Sequence, residues 1–231
     1  MNVKLLSYSQ PTDEFRSLGL GDAQELIAYC ARVSNPANQY NNDTAEKLIR
    51  YLVKHQHWSP LEMVSACLEI TTTRDIARQI LRHRSFSFQE FSQRYADPTK
   101  DLSFVLRDAR KQDTKNRQNS VELDLTNDAD RFLAAGWENI QKGVTEKALA
   151  AYNWAIENGI AKEQARAVLP EGLIESRLYM NGTLRSWIHF IDLRTGNGTQ
   201  KEHMEIAKEC ACAIHAIFPM VEDYVQPRKG S

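Results

Sequence analysis

Apolar positions along the first third of the chain recur with two different periods. Gly21-Asp22 opens a stretch running to about residue 33 in which Leu26, Ile27 and Cys30 share one side, the signature of a helix. Ala45, Leu48, Ile49, Leu52 and Val53 carry the same period up to His55, and Asp43 and Glu46 stand at its start with capping-box spacing. Pro60 ends that element. Val64, Ala66, Leu68 and Ile70 then alternate with Ser65, Cys67 and Glu69, which predicts a strand with one buried face. Residues 3–6 form a shorter strand candidate. Thr73 is expected to cap a following helix in which Arg74, Arg78 and Arg82 recur every fourth residue, opposite Ile76, Ala77, Ile80 and Leu81.

Beyond residue 97 the chain turns polar. Leu102, Phe104, Val105 and Leu106 predict one strand, and residues 108–119 read as a mobile surface excursion within a polar segment of about 98–127. A long helix follows over about 129–158, with Leu133, Trp137, Ile140, Val144, Ala148, Ala151 and Ala155 expected inward and Gly159 as its stop. A short helix spans 162–168. Ile174, Ser176, Leu178 and Met180 predict a second alternating strand, closed by a turn at Asn181-Gly182. Thr183 caps the next helix, with Leu184, Trp187, Ile188 and Ile191 inside and Arg194 at its end, and a last helix over about 200–218 stops at Pro219. Strands scattered among longer helices predict an α+β fold, an antiparallel sheet flanked by long helices, in one domain covering 1–231.

Composition narrows the function classes. The formal net charge is -1, so a general nucleic-acid binder is not favoured, and any basic patch must be local. No apolar run is long enough to span a bilayer and no leader is evident, so a cytoplasmic protein without a membrane association is expected. Four cysteines, Cys30, Cys67, Cys210 and Cys212, are expected to be reduced. His55 and His57 lack the carboxylate pattern of a metal site, and none is assigned. Neither a GxxxxGK[ST] loop nor a GxGxxG turn is present.

The chemistry concentrates in Arg82-His83-Arg84-Ser85-Phe86-Ser87-Phe88-Gln89-Glu90-Phe91-Ser92-Gln93-Arg94. Guanidinium groups hold phosphate bidentately, serines and amides add neutral hydrogen bonds, and Phe86, Phe88 and Phe91 offer faces for an aromatic ring. Like charges this close repel unless an anion or carboxylates offset them, and only Asp75 and Glu90 are near in sequence. The cluster therefore points to an anionic aromatic small molecule, most simply a nucleotide. Arg166, and Arg185 with His189 on one helical face, add more positive charge than one phosphate needs. A charged stacking platform for RNA or DNA, or an inert nucleotide binder, would be the alternatives.

Those thirteen residues match RHRxxSxxxxSxR, and the chain thereby resembles the flavin-dependent thymidylate synthases. The resemblance extends through HQHWSPLE (55–62), ARAVLP (165–170) and NGTLRSWIHFIDLR (181–194), in order and at similar spacing. Met63 stands where many members carry His. The resemblance implies a homotetramer with FAD bound in active sites shared between subunits. It implies FAD contacts from Ser59, Arg82, His83, Arg84, Glu90, Thr183, Leu184, Arg185 and His189. It implies dUMP contacts from Gln79, Arg82, Glu90, Ser92, Gln93, Arg94, Arg166 and Arg194, with Arg194 catalytic at the pyrimidine edge. His57 would lie on the folate or nicotinamide side. The reaction implied is methylation of dUMP to dTMP, with methylenetetrahydrofolate and NADPH as co-substrates and without a cysteine nucleophile.

Overall fold

A computed structural model of the protein describes residues 1–226. In chain order these form β1 (Asn2–Tyr8), α1 (Asp13–Ser17), α2 (Ala23–Ala31), α3 (Ala45–Lys54), β2 (Ser65–Thr73), α4 (Arg74–Ile80), β3 (Ser87–Glu90) and α5 (Pro98–Asp101). There follow β4 (Arg110–Gln112), β5 (Ser120–Glu122), α6 (Asp128–Glu157), α7 (Lys162–Ala165), β6 (Glu175–Thr183), α8 (Leu184–Thr195) and α9 (Lys201–His215). The α+β expectation holds, and the sheet is antiparallel in the order β1-β2-β6-β3.

The alternation read in 64–70 and 174–180 is the inner face of this sheet. Ala66 lies opposite Gly182, Leu68 opposite Met180 and Ile70 opposite Leu178, all on the buried side. Trp187, Ile188 and Ile191 of α8 pack on that face with Ile206, Cys210 and Ile214 of α9 and Ile76 and Ile80 of α4. Each such side chain stabilises the fold by about 1.5–3 kcal/mol relative to leaving it in water. Trp187, the largest of them, donates its indole N–H to the carbonyl of Ala66 at 3.0 Å, so no polar atom of that ring is stranded. Both central strands run straight into helices, β2 into α4 and β6 into α8, which sets the two helices at opposite ends of one antiparallel pair.

Several expectations are corrected. Asn181-Gly182 is no turn but part of β6, where glycine answers a packing demand: a Cβ on Gly182 would sit 2.4 Å from the Phe86 ring. The capping box belongs to Asp22 and Glu25, because Asp22 Oδ1 accepts from Glu25 N at 2.8 Å and Gly21 N donates to the Glu25 carboxylate. Asp43 lies in a 3-10 turn, and α3 has no side-chain cap. Thr73 precedes α4 without capping it, since its hydroxyl donates to Asp75 Oδ1 at 2.7 Å. The strand expected at 102–106 reduces to one bridge between Phe104 and Ile174.

The polar excursion is built rather than loose. It carries the β4–β5 hairpin, and Arg107 ties its root down through Gly172 O at 3.1 Å, Asp75 Oδ1 at 2.6 Å and Glu202 Oε2 at 3.2 Å. The inward list for α6 holds only for Ala148 and Ala155. Leu133, Trp137, Ile140, Val144 and Ala151 are exposed, with Trp137, Ile140 and Val144 lining an open cavity opposite Arg107 and Leu173. Gly159, with φ of 75°, does end it.

Candidate active site

The arginines read as one basic cluster separate into two kinds. Arg74 and Arg78 are neutralised by a residue far away in sequence: Glu171 Oε1 lies 3.2 Å from Arg74 Nε and 3.0 Å from Arg78 Nη2. Glu90 adds to this, 3.9 Å from Arg74 Nη1, and accepts from Ser176 Oγ at 2.7 Å. Arg74 and Arg78 therefore need no added anion, since a tertiary carboxylate supplies the charge. Arg82 and Arg84, in the turn after α4, are exposed and make no ion pair among the described residues.

His83 lies between these two arginines in the chain and reaches inward. Arg194, in the last turn of α8, donates Nε–H to His83 Nε2 at 2.9 Å. That bond requires a neutral imidazole with its lone pair on Nε2. Burial, with Arg194 and Arg82 alongside, pulls His83 down to about 4, which agrees with the neutral form. Burial, and then Arg82, also lower Arg194 from its ordinary value. Arg194 stays charged all the same, as arginine does in proteins. The result is a half-buried cation beside a second cation, with a neutral ring as its only hydrogen-bonded partner among the described residues. Such a group is electrostatically unsatisfied and favours an anion.

A second group gathers at α7. Glu163 Oε2 is 3.6 Å from Arg94 Nε, Arg166 Nε donates to Glu163 O at 3.3 Å, and Lys162 Nζ donates to Tyr95 O at 3.1 Å. Ser92 Oγ accepts weakly from Arg94 N at 3.4 Å. Gln93 is buried with its Nε2 unpartnered among the described residues, a donor waiting for an acceptor.

A third group surrounds the start of α8. Arg185 pairs with Glu62, and His189 meets Trp58 edge to face with ring centroids 4.5 Å apart, so Ser59 in the turn Ser59–Glu62 lies against this helix. Thr183 caps α8 by accepting from Ser186 N at 3.3 Å. Leu184 is fully buried, its N–H spent on Val64 O, so its side chain belongs to the core. His57 is exposed beside Tyr51. Of the three phenylalanines read as ring-stacking candidates, Phe86 is core, 4.7 Å from Trp187. Gln79 adjoins the first group: its backbone carbonyl accepts from Arg82 N at 3.4 Å, and its side chain is bonded to Gln200 at 2.8 Å and His203 at 3.2 Å.

Two of these groups do not share a face. At 100° per residue, Arg194 points about 180° away from Arg185 around α8 and lies about 13 Å along it. The cavities bordering α6 and the α2–α3 pair, of about 350 and 530 Å³, contain none of the exposed Arg82 and Arg84 or the half-buried Arg194. Of the four cysteines, Cys30 and Cys67 are half-buried with thiols raised by burial, Cys210 is buried and raised, and Cys212 is exposed on α9. No group of three His, Cys, Asp or Glu side chains among the described residues could hold a metal ion.

The sequence reading missed His203, Gln200, Glu202 and Arg107. A signal existed for the first, since His203 continues the stripe Ile206, Ala207, Cys210 and Ile214. A histidine on an apolar stripe is either a satisfied core residue or a working one.

Comparison with known proteins bears on the same residues. The family model described as "Thymidylate synthase complementing protein" matches residues 19–220. A probable flavin-dependent thymidylate synthase of Paramecium bursaria Chlorella virus 1 is 47% identical over 221 residues, covering 96% of this chain and 97% of the relative. The flavin-dependent thymidylate synthase of Synechocystis sp. is 45% identical over the same length and coverage. Among solved structures, the UMP/dUMP methylase PolB from Streptomyces cacaoi, bound with 5-Br dUMP, has the same fold: TM-score 0.77 at 24% identity, over 96% of this chain and 93% of that one.

Proposed function

Because this chain belongs to the flavin-dependent thymidylate synthase family, we propose that it converts dUMP to dTMP, with methylenetetrahydrofolate as carbon donor and NADPH-reduced FAD supplying the hydride. The observation that carries this reading is the unsatisfied cation set. Among the described residues Arg82 and Arg84 pair with no carboxylate and Arg194 has only the neutral His83, so the site is prepared for ligands that bring negative charge. The residues fit a dinucleotide. Arg82 and Arg84 provide unpaired guanidinium forks, and the N-terminus of α8, capped by Thr183, carries Arg185 and His189 on one face above Ser59. Glu90 and His83 complete that assignment, and Leu184 supports it by anchoring the start of α8 in the core.

On the substrate side, Arg94 and Arg166 converge at Glu163, where a phosphate dianion can displace the 3.6 Å carboxylate contact. Ser92 and the unpartnered Gln93 amide add neutral bonds, and Gln79 and Arg82 complete the set. Arg194 takes the pyrimidine. Carbon 5 of uracil attacks only when negative charge builds on the ring. A guanidinium held in advance by His83 lowers the cost of that charge. Cysteine addition is then not required, in keeping with Cys30, Cys67 and Cys210, whose thiols burial raises.

The active sites are shared between subunits of a homotetramer. Two observations support this. Arg194 and Arg185 face opposite ways on α8, so one chain does not enclose both ligands. Leu133, Trp137, Ile140 and Val144 form an exposed apolar stripe at coiled-coil spacing on α6, the kind of face that a second copy of the chain can cover. His57 lies toward the folate or nicotinamide. Among the described residues no helix is long and apolar enough to cross a membrane, and the free cysteines fit the cytoplasm.

Incubation with FAD tests the reading. Quenched flavin fluorescence and a flavin absorption spectrum retained after gel filtration are expected. A protein that stays colourless and leaves the fluorescence unchanged would refute it.

A further inference from the structure

Beneath the arginine cluster, one file of half-buried polar side chains leads to the buried His203. Glu202 is clamped by two guanidinium groups: Arg107 Nη1 lies 3.2 Å from its Oε2, and Arg110 donates to its Oε1. Gln200 Nε2 donates to Glu202 Oε2 at 2.9 Å, and Gln79 Nε2 donates to Gln200 Oε1 at 2.8 Å. Gln79 Oε1 lies 3.2 Å from Nδ1 of His203.

The direction of the whole file follows from its last member. A carboxylate accepts hydrogen bonds and donates none. Gln200 must therefore turn its NH2 to Glu202, which leaves its carbonyl for Gln79. Gln79 must turn its own NH2 to Gln200, which leaves its carbonyl for His203. His203 then carries its proton on Nδ1. One carboxylate thus sets two amide orientations and one imidazole tautomer, each of which could otherwise reverse. His203 suits the position: it is fully buried, with Phe190 5.8 Å and His83 6.3 Å away between ring centroids. Burial, with Arg194 and His83 nearby, holds it neutral at about 3.

We propose that Glu202, Gln200 and His203 are positioning residues that hold the Gln79 amide in one orientation towards dUMP, an inference resting on the reading of Gln79 as a dUMP contact. An amide presents a carbonyl on one side and N–H groups on the other. Reversal would set donor against donor and acceptor against acceptor, so an amide free to turn over loses much of its value to a polar ligand. Arg107 and Arg110 extend the file to the root of the β4–β5 hairpin, which gives that segment a task in substrate binding.

Calorimetric titration of the FAD-loaded protein with dUMP tests this, together with nitrogen NMR of protein labelled at histidine. Gln200→Met, which leaves the core untouched, should weaken dUMP binding about three- to tenfold, the loss of one interior hydrogen bond. Flavin content should not change. His203→Phe should act alike, and if it fails to load FAD, Gln200→Met decides alone. Neither change should add to Gln79→Ala. His203 should be protonated at Nδ1 in the wild type and lose that single tautomer in Gln200→Met. Full additivity with Gln79→Ala, or a His203 tautomer indifferent to Gln200, would overturn the proposal. Should Gln79→Ala bind dUMP as the wild type does, Gln79 is no substrate contact and the positioning role falls, while flavin binding stands as a separate result.

Discussion

Arg94 and Arg194 are both assigned to dUMP, yet their surroundings give them different work. Arg94 is exposed and already shares a carboxylate, so it exchanges one anion for another and acts through binding. Losing a charge-assisted bond of about 1.5–3 kcal/mol, Arg94→Ala should weaken dUMP roughly tenfold to a hundredfold, with turnover at saturation little changed. Arg194→Ala should lower turnover by more than its loss of binding, because the charge it meets develops during reaction. Equilibrium titration beside single-turnover flavin oxidation separates the two, and Arg194→Ala that binds poorly but reacts at the normal rate would make it a binding residue only. The neutral histidines carry a pH consequence. The unfolded chain takes up protons below about 6.5. The folded chain does not until about 4 at His83 and about 3 at His203. Stability should therefore fall as pH drops from 6.5 towards 4, at roughly 1.4 kcal/mol per pH unit for each such proton. Denaturant titrations at pH 7 and pH 5 should show a smaller fall in His203→Phe than in the wild type; an equal fall would mean His203 is not held neutral.

At the scale of elements, the central strands and α2, α3, α8 and α9 were legible because each buries one face against this chain's own core, which is what apolar periodicity records. Gly182 shows where that reading fails. Asn-Gly is a turn signal, but here the glycine makes room for Phe86, a contact between residues 96 positions apart that no local pattern encodes. β3 is not legible as a strand either: Ser87–Glu90 is a short edge strand inside the stretch that suggests a ligand pocket, too short to show an alternating pattern. Gly182→Ala should destabilise the protein by about 1–3 kcal/mol, as overpacked cores do, and disturb FAD binding through the Arg84–Phe86 turn. Gly136→Ala is the matched control: its Cβ meets nothing within 4 Å, and the helix should gain about 0.5–1 kcal/mol. Equal denaturation midpoints for the two would contradict this account of β6. Of the site, the arginine-rich stretch was legible as a charge pattern, whereas the neutralisation of Arg74 and Arg78 by Glu171 and the file from Glu202 to His203 depend on tertiary contacts.

For the whole molecule, the stripe on α6 was correctly read as apolar and wrongly read as buried within one chain. On the proposal of a homotetramer, that periodicity belongs to a face covered by a second copy of the chain, which sequence alone does not place. Changing Trp137 and Ile140 together to Asp should shift the protein from a tetramer to smaller species in light scattering and lower its flavin content, while each chain stays folded. Wild-type protein that is monomeric with FAD bound would refute shared sites. The central claim, that a cation set without a cysteine nucleophile methylates dUMP, meets its most direct test in a product assay. Purified protein loaded with FAD, given NADPH, methylenetetrahydrofolate and dUMP, should form dTMP detectable by mass spectrometry, and a variant with all four cysteines changed to serine or alanine should form it too. Unchanged dUMP under conditions where calorimetry shows it bound would make the protein an inert nucleotide binder. dTMP formation lost with a single cysteine, while FAD and dUMP still bind, would replace the electrostatic mechanism by a covalent one.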